Sequence, residues 1–312
     1  MYAVFRKELA DHLSSKRFGI LFILVLLAAM FATYLAINNI RGVVNPTTEF
    51  VFIKIFTTSG ETLPSFLFFL SLFIPIIGIA LGFDAINSER TSGNLSRLLS
   101  QPIYRDSLIN GKFLAGLAVL GIMIASVIAL VAGLGLRIVG VPPNAEEVLR
   151  LIAFVLMSII YGAFWMALAV LFSVFFDRTA TSMLASIALW IFFFFFMSMI
   201  AGAIADARFP IDQNSSLEMV TKNFEIQGMI GRISPCTLYG EATSALLTPE
   251  LGSLNPALMV ISTLTAGRMA TPLPFSQSLL LVWPQVVSII ALVAICFAVS
   301  YIRFMRREIR SI

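Results

Sequence analysis

The chain has 312 residues, 59% of them hydrophobic and only 12% charged, with 28 phenylalanines and a formal net charge of +4. A soluble domain carries about twice that share of charge, so the composition excludes a water-soluble core with one anchor and points to a bilayer. The basic excess does not indicate nucleic acid, because Lys and Arg are scattered around apolar runs and not gathered on one polar face.

Residues 1–17 open the chain, with Phe5, Leu9 and Leu13 four apart and Arg6, Lys7, Asp11 and Ser14 on the other faces. A short amphipathic helix of this kind lies in the membrane interface, which sets Lys16 and Arg17 at lipid phosphate level. The polar residues before the first apolar run, and the lack of a small-residue cleavage site after it, make that run a retained span and not a secretory signal.

A membrane-crossing helix needs about 20 mostly apolar residues. Six stretches qualify: 18–37, 65–83, 113–136, 151–175, 183–205 and 279–302. The expected fold is an all-α membrane protein, a single domain over 1–312. It has six transmembrane helices, an N-terminal interfacial helix (1–17), a polar inner segment (84–112) and a small outer helical cap (206–278). With the N-terminus inside, 13 of the 21 Lys and Arg fall in short inner segments, among them Arg90, Arg97, Arg105, Lys112 and Arg178. The outer segments hold Arg41, Lys54, Arg137, Arg150, Arg208, Lys222, Arg232 and Arg268. The positive-inside rule therefore predicts both termini in the cytoplasm of a multi-pass inner-membrane protein.

The segment between the second and third apolar runs is the most polar part of the inner face. Glu89 and Arg90 stand at an expected helix end, Gly93 lets the chain reverse, and Thr91 and Ser92 are placed to cap a following helix. That helix, 94–100, has an apolar edge of Leu95, Leu98 and Leu99 and stops at Pro102; Asp106 or Ser107 starts the helix that re-enters the membrane. Connections in compact bundles are usually about 2–8 residues, and this one is longer. A solvated, topology-setting loop is the plain alternative.

In the outer segment, Ser234-Pro235 followed by Leu238, Ala242, Ala245 and Leu246 predicts a serine-capped helix ended by Pro249. Pro272, Pro274 and Pro284 punctuate the approach to the last span, and Trp283 fits an interfacial anchor. The run Phe192–Phe196 reads as lipid-facing or packing filler. Cys236 and Cys296 read as free and structural, and Met219, Met229, Met259 and Met269 are too irregular for a soft-metal site. No metal, cofactor or catalytic residue is expected in this chain.

The missing motifs narrow the function. Gly111-Lys112 is followed by Phe113, so there is no G-x-x-x-x-G-K-[ST] phosphate loop. One histidine, His12, excludes an H-E-x-x-H zinc site. The spans hold almost no ionisable groups of the kind ion-coupled carriers need; Pro75, Gly78 and Gly82 allow a kink but make no ion site. A membrane pathway without its own energy source requires work from outside the bilayer.

The run Asp84…Glu89-Arg90-Thr91-Ser92-Gly93-Asn94-Leu95…Leu99-Ser100-Gln101-Pro102-Ile103…Gly111-Lys112-Phe113 resembles the first cytoplasmic loop of type 2 ABC exporter permeases. Lys7-Glu8-Leu9…Ser15-Lys16-Arg17-Phe18 resembles that family's interface helix. Ile233-Ser234-Pro235…Leu238-Tyr239…Glu241-Ala242…Leu246-Leu247 is similar to an outer-loop pattern in the branch with the permease of the nitrous oxide reductase copper-site maturation system. Asn94 departs from the more frequent threonine. The resemblance implies a second permease copy in a homodimer and two copies of a separate ABC ATPase subunit, which binds the ATP and Mg. It also implies a coupling helix after Gly93, with Glu89, Arg90, Thr91, Ser92, Gly93, Leu95, Leu98 and Leu99 at the ATPase contact. An ion-coupled secondary transporter and a non-transporting membrane assembly factor are the competing readings.

Overall fold

The computed structural model describes residues 1–41, 50–58, 65–91, 104–212, 215–249 and 272–306. Twelve helices, with one π-helical turn, build these residues: α1 (Tyr2–Leu13), α2 (Lys16–Arg41), α3 (Val51–Thr57), α4 (Phe66–Gly82), α5 (Asn87–Thr91), α6 (Arg105–Val139), α7 (Ala145–Phe175), α8 (Thr179–Ile191), α9 (Met197–Arg208), α10 (Leu217–Gly231), α11 (Pro235–Leu247) and α12 (Phe275–Arg306). Six helical stretches are long and apolar enough to cross a membrane: α2, α4 with α5, α6, α7, α8 through α9, and α12. The expected six spans are all present, each longer overall than its apolar run.

The fourth span, α7, is the hub. From Tyr161 to Val170 every side of it is buried, as expected of a helix enclosed by others and not exposed along one face. The second span packs on it through Gly78 and Gly82. A Cβ at Gly78 would lie 2.6 Å from the Gly162 carbonyl oxygen, and one at Gly82 would lie 2.6 Å from that of Met166. This is close small-residue packing between membrane helices, and it gives the two glycines a role beyond a kink. Pro75 lies inside α4. It lacks the N–H that would bond Ser71, four residues back, and the Tyr161 hydroxyl of α7 donates to that Ser71 carbonyl at 3.3 Å.

The side opposite α1, expected to be the outer side, is more deeply folded than a cap. The expected Ser234 cap, Pro235 start and end before Pro249 are all observed. However, α10 runs back down along α9, where Asn223 donates to Asp206 Oδ1 at 2.8 Å and to the Phe209 carbonyl at 2.7 Å. The hairpin turn then reaches Phe193, whose carbonyl accepts the Ser234 hydroxyl at 3.0 Å. Phe193 sits halfway along the fifth span, within the π-helical turn Phe192–Phe196. The widened turn disturbs the regular i→i−4 ladder, and Ser234 satisfies the exposed carbonyl while also capping α11. α11 climbs back beside α7: Tyr239 stacks on Tyr161 with ring centroids 4.2 Å apart, and its hydroxyl meets Ser158 Oγ at 2.9 Å. Residues 217–247 are thus a hairpin re-entering the bundle from the outer side.

Two other expectations are corrected. Pro284 does not precede the last span but lies within α12. Arg150, assigned to an outer connection, belongs to the second turn of α7 and is completely buried. It donates to Glu146 Oε1 (2.8 Å), Ser278 Oγ (3.1 Å) and the carbonyls of Leu246 (2.8 Å) and Leu273. The starts of α7 and α12 and the end of α11 are thereby tied to one guanidinium. One turn earlier, Glu147 completes a capping box with Asn144 and accepts from the Phe52 and Ile53 amides of α3. α3 itself, in a stretch expected to be an outer connection, is a buried plug of Val51, Phe52, Ile53, Ile55 and Phe56.

Candidate functional site: the inner face

The span ends on the side of α1, the expected inner side, are joined by ion pairs. After α4 the chain turns through residues 83–86 into α5, and the amides of Ile86, last in the turn, and Asn87, first in α5, donate to Ser173 Oγ of the fourth span at 2.9 and 3.1 Å. A small apolar cluster of Ile86, Leu108, Ile109, Val174 and Phe304 sits beneath this junction. α5 is thus seated on the hub of the bundle immediately before residues 92–103.

Lys112 stands about two turns into α6 and is almost fully buried. Its ammonium lies 2.9 Å from Glu8 Oε1 of α1 and 3.2 Å from Glu89 Oε1 of α5. Gly111 beside it lets α1 approach: a Cβ there would lie 2.9 Å from a Val4 methyl. Arg90 reaches across to Asp177, after the fourth span, at 2.6 Å. Arg17 bonds Asp84 and lies over the Phe83 ring, 5.5 Å from its centroid. Three ion-pair groups therefore connect α1, the first four spans and the α5 segment.

Between α1 and the inner ends of the first four spans is a cavity of about 410 Å³, with Glu8, His12, Arg17, Asp84 and Lys112 at its rim and Leu21, Ile77 and Met166 deeper in. Burial pushes the His12 imidazole below its ordinary value. The pull of Glu8, Asp84 and Asp11 opposes this shift, and Lys112 adds to it.

Of the residues singled out in the sequence, Glu89 and Arg90 come together with partners from other helices. Thr91 is the last residue of α5, and its hydroxyl donates back to the Asn87 carbonyl at 2.7 Å. Ser92, Gly93, Leu95, Leu98 and Leu99 lie outside the described residues. The re-entering helix starts at Arg105, with Asp106 in its first turn accepting from the Ser107 amide. On α1, Phe5 and Leu9 are half-buried and Leu13 is exposed, as are Lys16 and Arg17.

Glu8, Asp84, Lys112 and Asp177 were not marked as site residues by sequence reasoning, although three of them sit inside the runs that carried the resemblance. Their pairing joins residues up to 104 positions apart, which no local pattern reveals. Among the described residues there is no group of three or more His, Cys, Asp or Glu placed to hold a metal ion.

Comparison with known proteins agrees with this architecture. Over 144 residues, 44% of this chain and 50% of the relative, the sequence is 31% identical to a Pseudomonas aeruginosa protein named probable ABC transporter permease protein NosY. The match thus spans half of that relative's length. Residues 2–309 match the family described as ABC-2 family transporter protein. With its six apolar helices, the chain belongs to the ABC-2 family of transporter proteins.

Proposed function

We propose that this permease is the membrane half of an ATP-driven exporter, working with a second copy of itself and two separate ABC ATPase subunits that bind the ATP and Mg. It sits in the inner membrane with both termini in the cytoplasm. The segment 84–112 receives the stroke of the ATPases, and the following rearrangement of the two permeases expels the substrate. Glu89, Arg90 and Thr91, with Ser92, Gly93, Leu95, Leu98 and Leu99, form the ATPase-facing unit, and α1 with Lys16 and Arg17 rides in the membrane interface.

The observation that carries this reading is the Glu8–Lys112–Glu89 bridge. A force applied to a loosely tethered loop would be lost in bending. Here the residues leading into 92–103 are pinned to the third span, the N-terminal helix and, through Ser173, the fourth span, so displacement of the segment moves several helices together. Breaking a buried ion pair by removing one partner is strongly destabilising, which suits a rigid lever.

The test is co-purification of the chain with its ATPase followed by substitution of Glu89 and Arg90 together by Gln. Transport-linked ATP turnover should fall, with weaker assembly if Arg90 also contacts the ATPase. Unchanged turnover together with unchanged assembly would sink the proposal. Native mass spectrometry of the same complex should give two permeases and two ATPases.

A further inference from the structure

The re-entrant hairpin carries a charged cluster that the inner-face mechanism does not use. Arg232, at its turn, places Nε 3.0 Å from both carboxylate oxygens of Glu241 on α11. Gln285 of the sixth span donates from Nε2 to Glu241 Oε2 at 2.9 Å. Gln285 is 5% exposed, and its amide oxygen is buried with no hydrogen-bond partner. The Arg232 side chain is 39% exposed and that of Glu241 15%.

The depth of this cluster makes it informative. Gln285 lies ten residues below the outer end of α12, about 15 Å along the helix at 1.5 Å per residue. The hairpin turn beside Arg232 is bonded to Phe193, halfway along the fifth span. An arginine open to this extent cannot face lipid tails, where charged groups are expensive and turn to the bundle interior or to water. Non-helical backbone at this depth, such as residues 232–234, is likewise tolerated only against protein or a water-filled cavity.

We propose that the Arg232–Glu241–Gln285 face lines a water-filled vestibule on the outer half of the transport route, so that the permease passes a hydrated, polar solute. The vestibule assignment stands on the cluster itself; its place on the route rests on the exporter reading above. The vestibule lets the guanidinium keep part of its hydration. The Ile233-Ser234-Pro235…Glu241 pattern then has a physical reading: Ser234 and Pro235 start the climbing helix, and Glu241 holds the arginine of the turn.

The test compares two single cysteines. Ile233, 63% exposed at the hairpin turn, and Val287, 44% exposed on the opposite face of α12 from Gln285, are each replaced by Cys. The complex with its ATPase is reconstituted in liposomes and treated with a charged, membrane-impermeant methanethiosulfonate, and the wild-type chain with Cys236 and Cys296 gives the background. Thiolates form in water and not in lipid, so I233C should react at least about tenfold faster than V287C. Reaction no faster than V287C, or a disulfide between I233C residues of two copies, would overturn the vestibule. Vanadate trapping of the ATPase should change the I233C rate several-fold; an unchanged rate overturns its place on the route. If no ATPase associates at all, the exporter reading fails while the contrast between the two cysteines still reads the vestibule.

Discussion

At Lys112 one ammonium serves two carboxylates on two other helices, with little water to share the charge. Removing the cation leaves Glu8 and Glu89 facing each other, and breaking a buried pair in this way costs about 3–5 kcal/mol. Lys112→Met should therefore lower the unfolding midpoint of the purified chain strongly. Adding Glu8→Gln and Glu89→Gln should restore much of the loss, since the repulsion is then gone. The pair between Arg90 and Asp177 is different: the aspartate is 68% exposed, and such pairs contribute about 0–1 kcal/mol. Asp177→Asn should barely move stability, so any effect it has on ATP turnover would belong to coupling. His12, on the same rim, binds a proton less readily in the folded protein than in the unfolded chain, because burial depresses it. Acidification through the ordinary histidine range thus favours unfolding, and the loss stops growing once pH falls below the depressed value. Thermal unfolding at pH 8 and pH 5.5 should show this decline, and His12→Gln should reduce it.

At the scale of elements, the second and fourth spans touch backbone to backbone at Gly78 and Gly82. A side chain larger than hydrogen at Gly82 must push the helices apart, and overpacking of this kind costs about 1–3 kcal/mol. Gly82→Val should lower thermal stability accordingly, while Gly133→Val on the third span, where a Cβ meets nothing within 4 Å, should leave it almost unchanged. The hairpin helix α11 is held at its lower end by Ser234, which caps it and bonds Phe193 in the fifth span. Ser234→Ala removes both, at about 1 kcal/mol for the cap alone. Hydrogen exchange should speed up over 235–239 and not over 160–170.

At the scale of the whole molecule, the inner and outer sides are each fastened to the fourth span: the inner through Ser173, the outer through Arg150. Arg150 is wholly buried and bonds one group in each of three helices and the Leu273 carbonyl just before α12, a forked arrangement that lysine cannot reproduce. Arg150→Lys should therefore loosen the outer side, seen as faster proteolysis around 248–275, with the Glu8–Lys112–Glu89 bridge intact. Much of this molecule was legible from residue order: apolar runs marked six spans, and Ser234-Pro235 marked the start of α11. What escaped were the partners. Glu147 looks like an ordinary first-turn acid, yet it also caps α3, 95 residues away. Arg150 looks like a topology charge because its four acceptors are scattered from 146 to 278.

By itself, the sequence determined that this is a six-span helical membrane protein with a polar segment between its second and third spans, because length and hydrophobicity decide what a bilayer will accept. Tertiary structure alone decided that the outer helices re-enter the bundle and that Lys112, Arg150 and Arg232 each hold separate helices together. The reason is physical: local pattern governs which segments become helices, whereas a buried charge is stable only where distant segments bring its counter-charges and hydrogen-bond acceptors to it.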